Sequence, residues 1–395
     1  MAVTGHADGP ALMLPAAVTA AADAALAALR AIAPGGALPP SGAALLGERT
    51  RRLGLRRGGR MSANGTCRLL TAADGSLALN LSRPDDWEAL PALFQTAVAP
   101  DWSAVERVAA GAPLAGLVAR GRELGLPIAP LCAIPTAPAP PFRIERLAPP
   151  RPAAGRPLVI DLSSLWAGPL AGALLAAAGA DVVKVESAHR PDGARGGDGT
   201  LFDLLNAGKR SVVLDFHDPC DLDLLRAMVA RADIVIEASR PRALAQLGID
   251  AHSVARGGAT WLSLTAYGRY GDAAGWLGFG DDVAVAGGLA WAMAQGWGEP
   301  LFAGDALADP LTGIVAALAG WASWCAGGGV LVSVAMVDVV ADALALYRPE
   351  AAELARWQAL AEGDRAPMLP VRAAAGPAPA AGSSTEWARR TFSPG

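Results

Sequence analysis

An α/β fold built on a doubly wound, parallel, Rossmann-like sheet follows from three features of this 395-residue sequence. Pro157–Leu162 (PLVIDL) is an unbroken apolar run, as a strand buried on both faces requires. Asp181–Glu186, Ser211–Phe216, Asp233–Glu237 and Thr260–Thr265 repeat that character downstream. Helix-type stretches separate most of these runs, among them Leu170–Ala178 and a segment opened by Asp218-Pro219 in cap-then-proline order. Strands alternating with helices at this spacing form a parallel sheet with helices on both faces.

Composition narrows the class. Hydrophobic residues make up 52% and charged residues 18%, which excludes a disordered chain, and the 46 Gly follow no fibrous period. The length predicts two or three domains with ample core. A net charge of −4 argues against nucleic acid as a partner. Cys67, Cys132, Cys220 and Cys325 stand far apart with no CxxC and no Cys/His pair at ligand spacing, so neither a disulfide framework nor a metal site is expected and a reducing cytoplasm fits. No basic region precedes the first apolar stretch, so no secretory signal is expected. Pro310–Val337 is uncharged and long enough to span a bilayer. Gly327-Gly328-Gly329 interrupt it, and it reads instead as a buried helix (Leu311–Trp324), a turn and a strand (Val330–Val337).

Three domains are expected. Residues 1–150 form a small α+β unit with a Pro-rich linker, 151–345 the Rossmann-like domain, and 346–395 a C-terminal helix and flexible tail. In the first, an Ala-rich helix is followed by six arginines (Arg49, Arg51, Arg52, Arg56, Arg57, Arg60), which read either as a solvated face or as a phosphate patch. Cys67–Leu70, a turn at Asp74-Gly75 and Leu77–Leu81 make a hairpin. Helices follow at Asp85-Asp86-Trp87, Trp102–Ala110 and Leu114–Leu124. Pro127–Pro152 holds nine prolines and reads as a linker or extended strap.

Parallel sheets bind ligands outside the carboxyl ends of their strands. The loop Ser163–Pro169 lies at such an end and feeds a helix, whose free amides attract phosphate. It is not GxGxxG, so the fold alone implies no more than a nucleotide-like ligand.

The strings VIDLSSLWAGPLAGALLAAAGADVVKVE, LLNAGKRSVVLDF and DIVIEASRPRALAQLGI resemble the opening domain of the family III CoA-transferases, the group of carnitine and formyl-CoA transferases to which the 2-methylacyl-CoA racemases are related. GDALADPLTGIVAALAG resembles the stretch carrying that family's catalytic aspartate, and GGGVLVSVAMVDVV the strand and helix after it. CRLLTAADGSLALNLSRPDDWEAL and GRELGLPIAPL resemble the family's smaller domain, which here precedes the nucleotide-type domain instead of following it.

The resemblance implies a reaction that needs no metal and no resident cofactor, with CoA and acyl-CoA as substrates, a small carboxylic acid as the other partner, and a homodimer as the working unit. It makes Asp309 the nucleophile, with Asp305 the next candidate. Asp309-Pro310 equally forms an ordinary N-cap and N1 pair, and a helix N-terminus would keep the carboxylate ionised. Trp166 and Ala167 match loop residues close to the pantetheine, and Leu214, Asp215, Phe216 and His217 match the adenine side. Asp281 and Asp282 fall near an acid that lines the CoA pocket, preceded in the racemases by a proton-carrying histidine that this chain lacks. Asn206, Lys209 and Arg210 stand in the family's N-x-x-K-R-S pattern, where the two cations either reach phosphates or neutralise a surface. Ser187, Gln246 and the Ala326–Val330 turn depart from family positions that carry cations, which implies either weaker CoA binding or replacement by other arginines, such as those of 49–60. Three readings remain: CoA transfer, CoA binding without catalysis, and racemisation.

Overall fold

The apolar runs become a seven-stranded sheet in the computed structural model, which describes residues 3–345, 347, 350–362 and 371–392. A separate three-stranded antiparallel sheet comes first in the chain: β1 (Cys67–Ala72), β2 (Gly75–Asn80) and β3 (Ile128–Pro130). The large sheet comprises β4 (Arg143–Arg146), β5 (Leu158–Asp161), β6 (Asp181–Ser187), β7 (Arg210–Leu214), β8 (Ile234–Glu237), β9 (Thr260–Thr265) and β10 (Val330–Ala335), in the order β4-β10-β9-β8-β5-β6-β7. All pairs are parallel except β4 with β10.

Alternate residues of each strand face opposite layers, which makes the sheet doubly wound. Val159, Ile234 and Leu262 pack with the helices Ala16–Ile32, Ala167–Ala178 and Ala308–Cys325. Ile160, Val235 and Trp261 pack with Pro219–Ala230, Ala251–Arg256 and Thr385–Phe392. Each such side chain, withdrawn wholly from water, contributes about 1.5–3 kcal/mol. Two of the helices cross closely because Gly313 carries no side chain: a Cβ there would lie 2.6 Å from the Ala167 carbonyl oxygen.

Several expectations change. The Pro-rich stretch contributes a strand to each sheet, β3 and β4; β4 (RIER) is exposed at all four positions, so its charges conceal an edge strand. The Ala-rich helix Ala16–Ile32, grouped by sequence with the small domain, buries Val18, Ala22, Leu26 and Leu29 in the core of the large one. Part of the expected tail is ordered structure: Thr385–Phe392 is a helix, and the Ser384 N–H donates to the Ser211 carbonyl at 2.8 Å beside β7. The tail's residues 363–370 and 393–395 lie outside the described residues. Pro310–Val337 resolves into most of the helix Ala308–Cys325, all of β10 and the start of the helix Met336–Leu344. No helix of the described residues is long and apolar enough to cross a membrane.

The small sheet packs its hairpin against the large domain. Cys67, Leu69 and Ala78 form one cluster with Val285, Ala290 and Phe302, so β1 and β2 touch the short helix Gly280–Ala286 and its successor. The small domain thereby reaches, within a single chain, the helix whose first residue, Gly280, contacts Asp309.

Candidate active site

The helix Ala308–Cys325 runs against the direction of the strands, which brings its first turn to their carboxyl ends, where such sheets bind ligands. It starts one residue before the expected cap. Leu307 occupies the cap position and Asp309 lies inside the first turn. Its carboxylate is therefore not used up as a cap: Oδ2 accepts the Gly280 N–H at 3.1 Å from a different helix. Gly280 has to be glycine, because a Cβ there would collide with the Asp309 carboxylate and with the Ala306 carbonyl. This is the neighbourhood where the racemase pattern calls for a histidine.

Asp309 is half-buried. Burial pushes its carboxyl up to about 6, Asp305 adds to the rise, and the Arg49 guanidinium and the Gly280 N–H oppose it. The helix terminus thus does not dominate as expected, yet with that value the group is still roughly nine-tenths ionised at pH 7.

Arg49 is the residue that sequence reasoning could not place. Its Nε donates to Asp305 Oδ2 at 2.7 Å and its Nη2 to Asp305 Oδ1, a bidentate pair with a fully buried carboxylate. Its guanidinium carbon also lies 4.6 Å from the centroid of the Trp166 ring. Three other arginines of that cluster are engaged elsewhere: Arg52 donates to the carbonyl of Arg372, Arg57 to those of His6 and Gly9, and Arg60 to that of Leu69. Asp305, the fallback nucleophile, has both oxygens committed to Arg49.

Asp281 and Asp282 are buried in the helix turn that contacts Asp309, Asp281 being the nearer, and hold backbone. Asp281 Oδ1 accepts the Ala306 N–H at 2.9 Å, fixing a residue held at φ +45°, a left-handed conformation costly for alanine. Asp282 Oδ1 accepts the Phe279 N–H at 2.9 Å and the Asn80 Nδ2 at 3.5 Å, the second contact coming from the small domain. Burial, with the neighbouring carboxylates adding to it, raises Asp281 to about 7; burial and then Asp281 raise Asp282 to about 8.

The loop after β5 differs from expectation in its details. The helix begins at Ala167, and Trp166 is 3% exposed, a core ring beneath Arg49. Ser164 and Leu165 face solvent instead, Leu165 at φ +70°. Two buried lysines hold this loop from below. Lys184 donates to the Ser163 carbonyl at 2.8 Å and pairs with Asp192, whose Oδ1 accepts the Leu165 N–H. Lys209 binds Asp161, the Pro169 carbonyl and Asn206 Oδ1. Lys209 is thus no phosphate ligand: it is buried, with burial the main cause lowering its pKa to about 8. Gly172 leaves room for the pair, since a Cβ there would lie 2.8 Å from Asp161 Oδ2. Arg210 lies over Trp387 at 4.3 Å, a contact with the C-terminal helix.

Among the adenine-side candidates, Leu214 is wholly buried core and Phe216 packs against the same cluster. Asp215 and His217 stand at the surface after β7. A further feature went unread in the sequence: Arg122 of the small domain stacks on Trp276 at 3.6 Å, near Tyr267, joining that domain to the segment leading into Gly280. The Ala326–Val330 turn lies at the opposite end of the sheet, packed on Ala148, Pro150 and Gly258.

The model of "CoA-transferase family III" matches residues 157–374, more than half of the chain. A succinate–glutarate CoA-transferase of Agrobacterium fabrum is 34% identical over 206 residues, 47% of this chain and 52% of that protein. The human succinyl-CoA:glutarate CoA-transferase is 27% identical over 168 residues, 40% of this chain and 38% of that one. The crystal structure of a CaiB/BaiF family protein from Brucella suis aligns with 53% of this chain and 58% of its own, at 29% identity and a TM-score of 0.43. The chain spans about half the length, or less, of these curated relatives. The chain belongs to CoA-transferase family III.

Proposed function

We propose that this protein transfers CoA from an acyl-CoA to a free carboxylic acid, with Asp309 as the covalent nucleophile. An Asp309 oxygen attacks the thioester carbonyl, the carbon–sulfur bond breaks, and a mixed anhydride forms as CoA thiolate departs. The thiolate attacks the Asp309 carboxyl carbon, releasing the first acid and leaving an aspartyl-CoA thioester. The acceptor carboxylate attacks that thioester and expels CoA thiolate. The thiolate then attacks the acyl carbon of the new anhydride, which frees Asp309 and forms the product thioester.

The sequence balances without a net proton transfer, so no base is required. The observation that carries the reading is the Asp309 carboxylate itself: half-buried, ionised near neutral pH, at the carboxyl end of the sheet and held by one backbone N–H. Racemisation would need a proton carrier there, and Gly280 leaves no space for one. The four histidines pair elsewhere, with Glu299, Asp215, Asp215 again, and Glu145. The names of the matched relatives support acyl-CoA and carboxylic acids as substrates.

The proposal places CoA along Ser163–Ala167, Asp215–His217 and the Gly280–Asp282 turn. It takes the working unit to be a cytoplasmic homodimer with no resident cofactor. A panel of acyl-CoAs, each offered with a panel of acids, tests the activity. Formation of a new acyl-CoA by the wild type, lost in Asp309→Asn, supports it. CoA binding with no transfer from any donor would favour the non-catalytic reading.

A further inference from the structure

Three metal-ligating side chains converge away from Asp309, and no spacing in the sequence announces them. β6 and β7 are neighbouring parallel strands, and the turn after each carries a histidine: His189 follows Ser187, and His217 follows Leu214 with Asp215 between. His189 Nε2 lies 3.1 Å from Asp215 Oδ1, and His217 Nδ1 lies 3.4 Å from the same oxygen. One ligand atom from each residue falls within 4.8 Å of the other two. An ion bound tetrahedrally at about 2.0–2.1 Å has ligand–ligand edges of about 3.3 Å. Two of the three edges already have nearly that length.

The ligand set is held in place by backbone. The Asp215 N–H donates to Asp221 Oδ2 at 2.9 Å, and the His217 N–H donates to Asp215 Oδ1 at 2.9 Å. The Ala188 N–H donates to the Leu214 carbonyl at 2.9 Å, tying one turn to the other. Asp215 Oδ1 thus accepts a backbone N–H and has an imidazole nitrogen of each histidine close to it. The side chains are 57%, 39% and 81% exposed in the order His189, Asp215, His217, so an ion reaches them directly from solvent and keeps open positions.

We propose that His189, Asp215 and His217 form a surface site for a late first-row divalent transition-metal ion. Two imidazoles and one carboxylate suit zinc, nickel or copper and not magnesium or calcium, which take oxygen ligands. Asp215 and His217 are also the residues proposed above for the adenine side of CoA, but metal binding itself needs no acyl transfer and is read out without it.

The test uses the full chain, stripped with a chelator and titrated with Zn2+ by calorimetry at neutral pH. One ion per chain is expected, with affinity at least tenfold lower in His189→Ala and in His217→Ala. Cys220→Ser, which removes the exposed thiol three residues beyond His217, keeps the wild-type affinity. The His changes lie at the surface, so far-UV circular dichroism remains unchanged. If the wild type binds no more Zn2+ than the His189→Ala/His217→Ala double variant, the site does not exist. If Cys220→Ser abolishes binding while the His variants retain it, the ligand set is wrong.

Discussion

Arg49 lies outside the matched family region, yet its removal should be felt throughout the site. Arg49→Gln leaves Asp305, which has no exposed side-chain surface, without its bidentate partner. Breaking a buried ion pair by removing one member costs about 3–5 kcal/mol. Arg49 itself is 19% exposed, which places the expected loss near the lower bound, about 3 kcal/mol. At about 2 °C per kcal/mol for a chain of this size, the melting temperature falls by roughly 6 °C. The double variant Arg49→Gln/Asp305→Asn replaces the pair with neutral hydrogen-bonding groups and recovers at least half of that loss. A second readout is independent of stability. Arg49 opposes the rise in the Asp309 pKa, so without it the acid limb of the pH–rate profile for CoA transfer moves to higher pH. Chemical denaturation and a pH–rate series measure both effects. An Arg49→Gln stability within 0.5 kcal/mol of wild type, a double variant no better than the single, or an unmoved acid limb would refute the argument.

Three other changes probe the neighbouring contacts. Gly280→Ala forces a methyl into the Asp309 carboxylate; overpacking costs about 1–3 kcal/mol, and a displacement near 1 Å lowers kcat about 100-fold, whereas turnover within twofold of wild type would show the contact to be soft. Asp282→Asn addresses pH dependence: the folded-state pKa is raised to about 8, so its stabilising share is full below the unfolded value near 4 and is lost as pH rises through about 8. The variant should flatten the decline of stability over that window, and an unchanged slope in urea titrations would contradict the burial of an ionisable group there. Ala167→Phe, at the head of the helix after β5, should weaken CoA binding at least tenfold, about 1.4 kcal/mol by calorimetry, and unaltered affinity would move CoA elsewhere.

The strands of the large sheet were legible because burial on both faces leaves unbroken apolar runs, and Asp218-Pro219 announces its helix locally. The hairpin was legible too, but its turn is Ala73-Asp74, one residue earlier than the Asp74-Gly75 pair suggests, with Gly75 already in β2. β4 was not, since Arg143, Glu145 and Arg146 are the sequence of a solvated segment and its pairing partner lies far along the chain. The motif singles out Asp309 as a candidate, but its setting was not legible. The Gly280 N–H, the Arg49 guanidinium and the small domain's Asn80 all reach the site across long sequence separations. Lys209 misled for the opposite reason: a lysine in a basic motif looks like a surface cation, and only the packing of Asp161, Pro169 and Asn206 around its ammonium makes it structural.

The central claim is that Asp309 becomes covalently acylated during turnover, and peptide mass spectrometry after hydroxylamine treatment tests it most directly. With acyl-CoA present and no acceptor acid, the wild type should yield a hydroxamate on the peptide containing Asp309. Asp309→Asn, folded as judged by circular dichroism, should yield none and transfer no CoA, because an amide cannot form the anhydride. A hydroxamate on another carboxylate, or transfer by Asp309→Asn at the wild-type rate, would contradict the account.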